Sequence, residues 1–241
     1  MLKKTSIALL LFIGCQAQAA YQCNVKPQDD IFITPQTVKV AGASGELLIA
    51  PNGDVTRNGK ALTLSGAARQ QAVVYQQNIR GDLPYIDNGV RSRLKTAQGA
   101  LDGIIVKQLG AESHVRQRLV TLTTELTKEM EKVLEPRPEG LAFHHQAINQ
   151  VETNGRTVLQ NTMGGVLQDS INELGVQQVA KAGKSSNPLQ AVLGSLGGLQ
   201  QQIQDEWKKQ EKDFELFGKE ACDRVAKLEQ ERSNLLKALP Q

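Results

Sequence analysis

The feature that most constrains this chain is a change of hydrophobic period at Ser65. Upstream of it, apolar and β-branched residues come in short runs: "IFIT" (31–34), "TVKV" (37–40) and "ELLIA" (46–50). Pro51-Asn52-Gly53-Asp54 is a turn signal, "VTR" (55–57) follows, and Asn58-Gly59 suits a type I′ hairpin turn before "KALTL" (60–64). Downstream, apolar residues recur every three or four positions, the spacing of one helix face. A single switch from strand period to helix period predicts an α+β fold. An antiparallel meander of three to five strands is expected within 20–64, followed by a mainly α-helical body of long amphipathic helices over 65–241. So few strands bury little by themselves, so the sheet needs a helix on one face.

Ser65 is a candidate N-cap, and Pro84 predicts that the helix it opens ends near Leu83. The next stripe runs Ile86, Val90, Leu94, Ala97, Leu101, Ile105 up to Gly110. Ser113 can cap another helix carrying Val115, Leu119, Leu122, Leu126, Met130 and Val133, which Pro136 and Pro138 should end. A further helix is expected from about Phe143 to Leu174, before Gly175, aligning Ile148, Val151, Val158, Met163, Val166 or Leu167, and Ile171. "KAGKSSNP" (181–188) reads as a linker, and Pro188–Leu239 as two helices or one bent helix. In that last stretch Ile203, Trp207, Phe214, Phe217, Ala221, Val225, Leu228, Leu235 and Leu239 keep near-heptad spacing, while Gln210 and Arg232 interrupt the seam.

The N-terminus places Lys3 and Lys4 before an apolar run from Ile7 to Ile13 and then Ala17-Gln18-Ala19. That order is a secretory signal peptide, residues 1–19, with cleavage after Ala19. "FIGC" (12–15) offers the alternative of a lipoprotein anchored through Cys15. No segment holds the roughly 20 consecutive apolar residues that a membrane-spanning helix needs. Export to the periplasm puts the remaining thiols in an oxidising compartment, where Cys23 and Cys222 most simply form one disulfide. Closing a loop of that length is worth roughly 5 kcal/mol on the chain-entropy model. The plain alternative is two separate buried thiols.

The formal charge is only +3, and cleavage removes two lysines, so no clustered basic face for nucleic acid is expected. Lysines and acids alternate instead, as in "EWKKQEKDFE" from Glu206, the pattern of a solvated helix surface. Of the three histidines, His144 and His145 are adjacent and would point about 100° apart on a helix, so they are expected to be structural or surface groups. No metal site and no cofactor are expected. "GASGE" (42–46) and "LGSLGG" (193–198) place Ser beside Gly without forming a nucleophile elbow. "AGKSS" (182–186) lacks the first glycine of a phosphate-binding loop, because position 178 is Gln178. Paired acids such as Asp29-Asp30 become catalytic only if the fold makes carboxylates face each other.

"NPLQAVLGSLGGLQQQIQ" (187–204) is the least ordinary stretch. Leu189, Val192, Leu193, Leu196 and Leu199 form an apolar band with Gly194, Gly197 and Gly198 among them. Each glycine costs up to about 1 kcal/mol inside a helix. Such residues serve tight internal packing, a hinge, or close approach by a partner. The band is thus the candidate hydrophobic interaction surface.

"YQC" (21–23), "NGK" (58–60), "GLAFH" (140–144), "MGGVLQDSINELG" (163–175), "NPLQAVLGSLGGLQ" (187–200) and "EWKKQEKDFELFGKEAC" (206–222) together resemble the YggN-like family of Gram-negative periplasmic proteins. The resemblance covers essentially the whole mature chain. Because that family is a domain of unknown function, it implies no catalytic residue, substrate or cofactor, only a periplasmic address. Cys23 and Cys222 lie inside the matching strings and Cys15 outside them. The expected function is a non-enzymatic binding or interaction module whose partner is an envelope protein, a peptide or a lipid, with an oligomer compatible. The alternatives are an envelope hydrolase with an acid-based site, and a lipid-anchored structural protein.

Overall fold

The computed structural model describes residues 23–181 and 188–240, apart from some side chains between 163 and 196. The expected leader 1–19 with its expected cleavage at Ala19, Cys15, and the interior of the expected 181–188 linker lie outside the described residues. Five short strands open the fold: β1 (Asp29–Ile33), β2 (Val38–Gly42), β3 (Gly45–Ile49), β4 (Val55–Arg57) and β5 (Lys60–Ala61). Asn58 and Gly59 both take positive φ, 49° and 79°, so the Asn-Gly turn is made as its residues demand. Two long helices follow, α1 (Gly66–Leu109) and α2 (His114–Glu131), then a hairpin of β6 (Leu134–Arg137) and β7 (Gly140–Phe143). A 3₁₀ turn (His145–Ala147) leads into α3 (Ile148–Lys181), and α4 (Pro188–Ala238) closes the chain.

All strands join one antiparallel sheet in the order β5-β4-β3-β2-β1-β7-β6. Alternation sends Ile31, Ile33, Val38, Val40, Leu47, Ile49 and Val55 to one face, with Leu141 and Phe143 from the late hairpin. That face packs on Ala72, Tyr75, Ile79 and Leu83 of α1 and on Leu228, Leu235 and Leu239 at the end of the chain, forming the first core. A second core lies farther along the helices. There Leu101, Ile105 and Leu109 meet Val115, Leu119, Val166, Leu174, Leu199 and Ile203, one apolar stripe from each of the four helices.

Four expectations change. Pro84 does not end a helix: α1 runs through it to Leu109, capped by Ser65, whose Oγ accepts from the Ala68 amide at 3.1 Å. The apolar phase is unbroken across the proline, with Ile79 and Leu83 before it and Ile86 after it on the same core. Burial of that stripe along α4 outweighs the roughly 3 kcal/mol that an internal proline costs. Pro136 does not merely stop α2; it sits in β6, an edge strand, where its missing N–H is tolerated. The hairpin therefore occupies 134–143, inside the stretch expected to be helical, and the following helix begins at Ile148 rather than Phe143. Gly175 lies within α3, not after it, and Pro188–Ala238 is one continuous helix.

Candidate functional site

Asp29 and Asp30 are neighbours, but on a strand they point to opposite faces. Asp29 points inward and is 2% exposed. Its carboxylate accepts from the Ser44 amide at 2.9 Å, from the Ser44 hydroxyl and from Nε of Arg232 on α4. Arg232 also donates to Ser44 Oγ at 3.0 Å and to Glu229 at 3.3 Å. Arg232 interrupts the apolar seam because it closes this buried ion pair between the first strand and the last helix. Burial alone would raise the Asp29 pKa, but hydrogen bonds from Ser44 and Arg232 hold it below its ordinary value. Ser44, the serine of "GASGE", is thereby committed as a structural donor and acceptor rather than presented as a nucleophile.

Asp30 points outward and collects the two histidines. The residues are not on an α-helix: His144 follows β7, and His145 begins the 3₁₀ turn. This corrects the expectation that their side chains diverge, because both rings reach the same carboxylate. Asp30 Oδ1 accepts the His145 amide at 3.0 Å and lies 2.6 Å from its ring Nδ1; Oδ2 lies 3.3 Å from His144 Nδ1. On the other side, His144 Nε2 is 3.0 Å from Glu135 of β6. Desolvation opposes ionisation of Asp30, but hydrogen bonds from His145 and His144 prevail and lower its pKa. Among the described residues, no three His, Cys, Asp or Glu side chains are arranged to hold a metal ion.

Along the α1–α4 seam, Phe217 lies directly over Gly89, where any Cβ would overlap the ring. The ring is covered by the Arg93 guanidinium at 4.0 Å and neighbours Tyr85 at 5.9 Å; Arg224 in turn stacks on Tyr85 at 3.9 Å and donates to Asp82. Beside this ladder Cys222 is bonded to Cys23, with a Cα separation of 5.6 Å. The disulfide ties the start of the described chain to α4 across 199 positions. Gly89 gave no signal in sequence, since nothing marked it as the position facing an aromatic ring.

The expected interaction band is placed only in part. Leu199 is 2% exposed and belongs to the second core. The side chains of Leu189, Val192, Leu193 and Leu196 lie outside the described residues, although their backbone is helical. Gly194, Gly197 and Gly198 are exposed, and among the described residues nothing lies within 4 Å of the position a Cβ would take on any of them. Among the described residues these glycines therefore make no tight internal packing. Between α1 and α2 runs an open groove of about 740 Å³ bordered by Lys95, Gln98, Asp102, Arg116 and Val120. No helix among the described residues is long and apolar enough to cross a membrane.

A family model described as "Protein of unknown function (DUF2884)" matches residues 23–241. Proteins named "Uncharacterized protein YggN" from Escherichia coli K12 and from Escherichia coli O157:H7 are each 49% identical over 237 residues, covering 98% of this chain and 98% of theirs. No solved structure matches.

Proposed function

The chain belongs to the DUF2884 family of proteins of unknown function, and from that premise we propose that it is an exported, non-enzymatic interaction module of the periplasm. Its working surface is the glycine face at the start of α4. The observation that carries this reading is the exposure of Gly194, Gly197 and Gly198 without internal contact. Spaced by three and four, they share one helix face. Each destabilises the helix by about 0.5–1 kcal/mol relative to alanine, and the fold obtains no close packing in return. Three such positions in one patch fit a surface that another backbone approaches closely, and the partner with that geometry is a helix of an envelope protein. The leader and the Cys23–Cys222 bond support the compartment. The band Leu189, Val192, Leu193 and Leu196 then flanks the contact or continues the core that Leu199 enters.

A photocrosslinking residue at position 198, with another at Lys208 on the same helix as control, tests the reading in cells. A discrete adduct from position 198 and none from position 208 is expected, and replacing Gly194 and Gly197 by leucine should abolish it. Equal labelling at both positions, or none, would contradict the proposal.

One observation favours a second reading, hydrolysis of an envelope component. The short contact between Asp30 and Nδ1 of His145 is the arrangement that orients an imidazole as a general base. His145→Ala would then remove a hydrolytic activity while leaving the fold intact. This reading ranks second because the groove between α1 and α2 is lined by neither residue.

A further inference from the structure

The ring of His144 faces two different carboxylates, Asp30 through Nδ1 at 3.3 Å and Glu135 through Nε2 at 3.0 Å. An ionised carboxylate only accepts, and a neutral imidazole carries one N–H. Both contacts are therefore hydrogen bonds together only when the ring is an imidazolium. Asp30 is already the acceptor for the amide and ring of His145, which fixes it as the ionised partner. The other charges around the ring agree. Arg137 on β6 pairs with Glu135 at 3.2 Å, and its guanidinium covers Phe32, which meets His144 edge-on at 5.8 Å. Lys39 of β2 and Glu46 of β3 are paired with each other at 2.7 Å. From α4, the half-buried Glu229 lies within electrostatic reach of His145.

We infer that His144 is a mild-acid latch: as an imidazolium it ties β1 to the β6–β7 hairpin where that hairpin turns into α3, and loss of its proton releases one carboxylate and loosens the junction. Burial by itself would lower the His144 pKa, but the bonds to Glu135 and Asp30 and their charges raise it above 6.5. The sign follows. A group whose folded pKa is raised contributes fully below its unfolded value and loses that contribution as pH climbs through the folded one. The carboxylates are lowered, Asp30 from 3.8 and Glu135 from 4.5, so their contribution fades only as pH falls below that range. The latch is complete in the mildly acidic interval between them and opens on the alkaline side.

The test follows the imidazole nitrogens of the full disulfide-bonded chain by NMR from about pH 5 to pH 9, alongside hydrogen exchange of the His145 amide. His144 should carry both protons at pH 6.5, titrate above that value, and release the His145 amide to exchange about tenfold faster, beyond intrinsic base catalysis, once it is neutral. Glu135→Gln should lower the His144 pKa without unfolding the chain. Titration at or below 6.5, a singly protonated ring in mild acid, or amide protection indifferent to the transition would each overturn the latch. If Glu135→Gln failed to fold, the wild-type titration alone would still decide.

Discussion

Arg232 and Asp29 form the ion pair whose loss should be felt most. Arg232 is 9% exposed and Asp29 2%, so removing Arg232 leaves Asp29 buried without a counter-charge, whereas removing Asp29 still leaves Arg232 beside Glu229. Arg232→Ala should destabilise by about 3–5 kcal/mol in denaturant unfolding. Asp29 is held below its ordinary 3.8, so its contribution is present above that value and fades as pH falls through the folded pKa. The variant should accordingly give up part of the protein's acid resistance, seen as a higher pH of acid unfolding. Glycines give a sharper contrast, because the same substitution should have opposite signs at two sites. Gly89→Ala pushes a methyl into the Phe217 ring and should cost about 1–3 kcal/mol. Alanine at Gly198 meets nothing and should stabilise by about 0.5–1 kcal/mol. Thermal unfolding of the two variants measures both signs.

At the scale of elements, Pro84 separates local preference from tertiary demand. Pro84→Ala restores a backbone donor inside α1 and should raise stability by about 1–3 kcal/mol with an unchanged helical signal in circular dichroism. The amphipathic stripes were legible in sequence because their spacing is set by the pitch they must match. So were the Ser65 and Ser113 caps, the latter receiving the Val115 amide at 3.2 Å. The late hairpin was not legible. Its strands are four residues each, too short for alternation to register, and prolines that suit an edge strand look the same as helix terminators. Gly140 becomes intelligible only when β7 lies beside β1, where a side chain would strike the Ile33 carbonyl. The histidine cluster stayed hidden for a related reason. Asp30 and Glu135 come near His144 only through the pairing of β1 with β7 and β7 with β6, contacts that no local pattern encodes. Arg232 showed itself as a break in a heptad-like seam, but its partner was 203 positions away.

Across the whole molecule, α1 and α4 each give buried residues to both cores, and the Cys23–Cys222 bond fastens the start of the described chain to α4. Reducing that bond should lower stability by up to roughly 5 kcal/mol, since it frees a closure spanning most of the chain. The midpoint of unfolding with and without reductant reports it. The same bond links the fold to the compartment, because it persists only where thiols are oxidised. The most direct test of an exported, stapled interaction module is therefore intact-mass analysis of the protein recovered from the cell envelope, alkylated with and without prior reduction. The account predicts a chain that begins at Ala20, carries no acyl group, and accepts alkylation at Cys23 and Cys222 only after reduction. A chain that retains residues 1–19, or whose two cysteines alkylate without reductant, would contradict it.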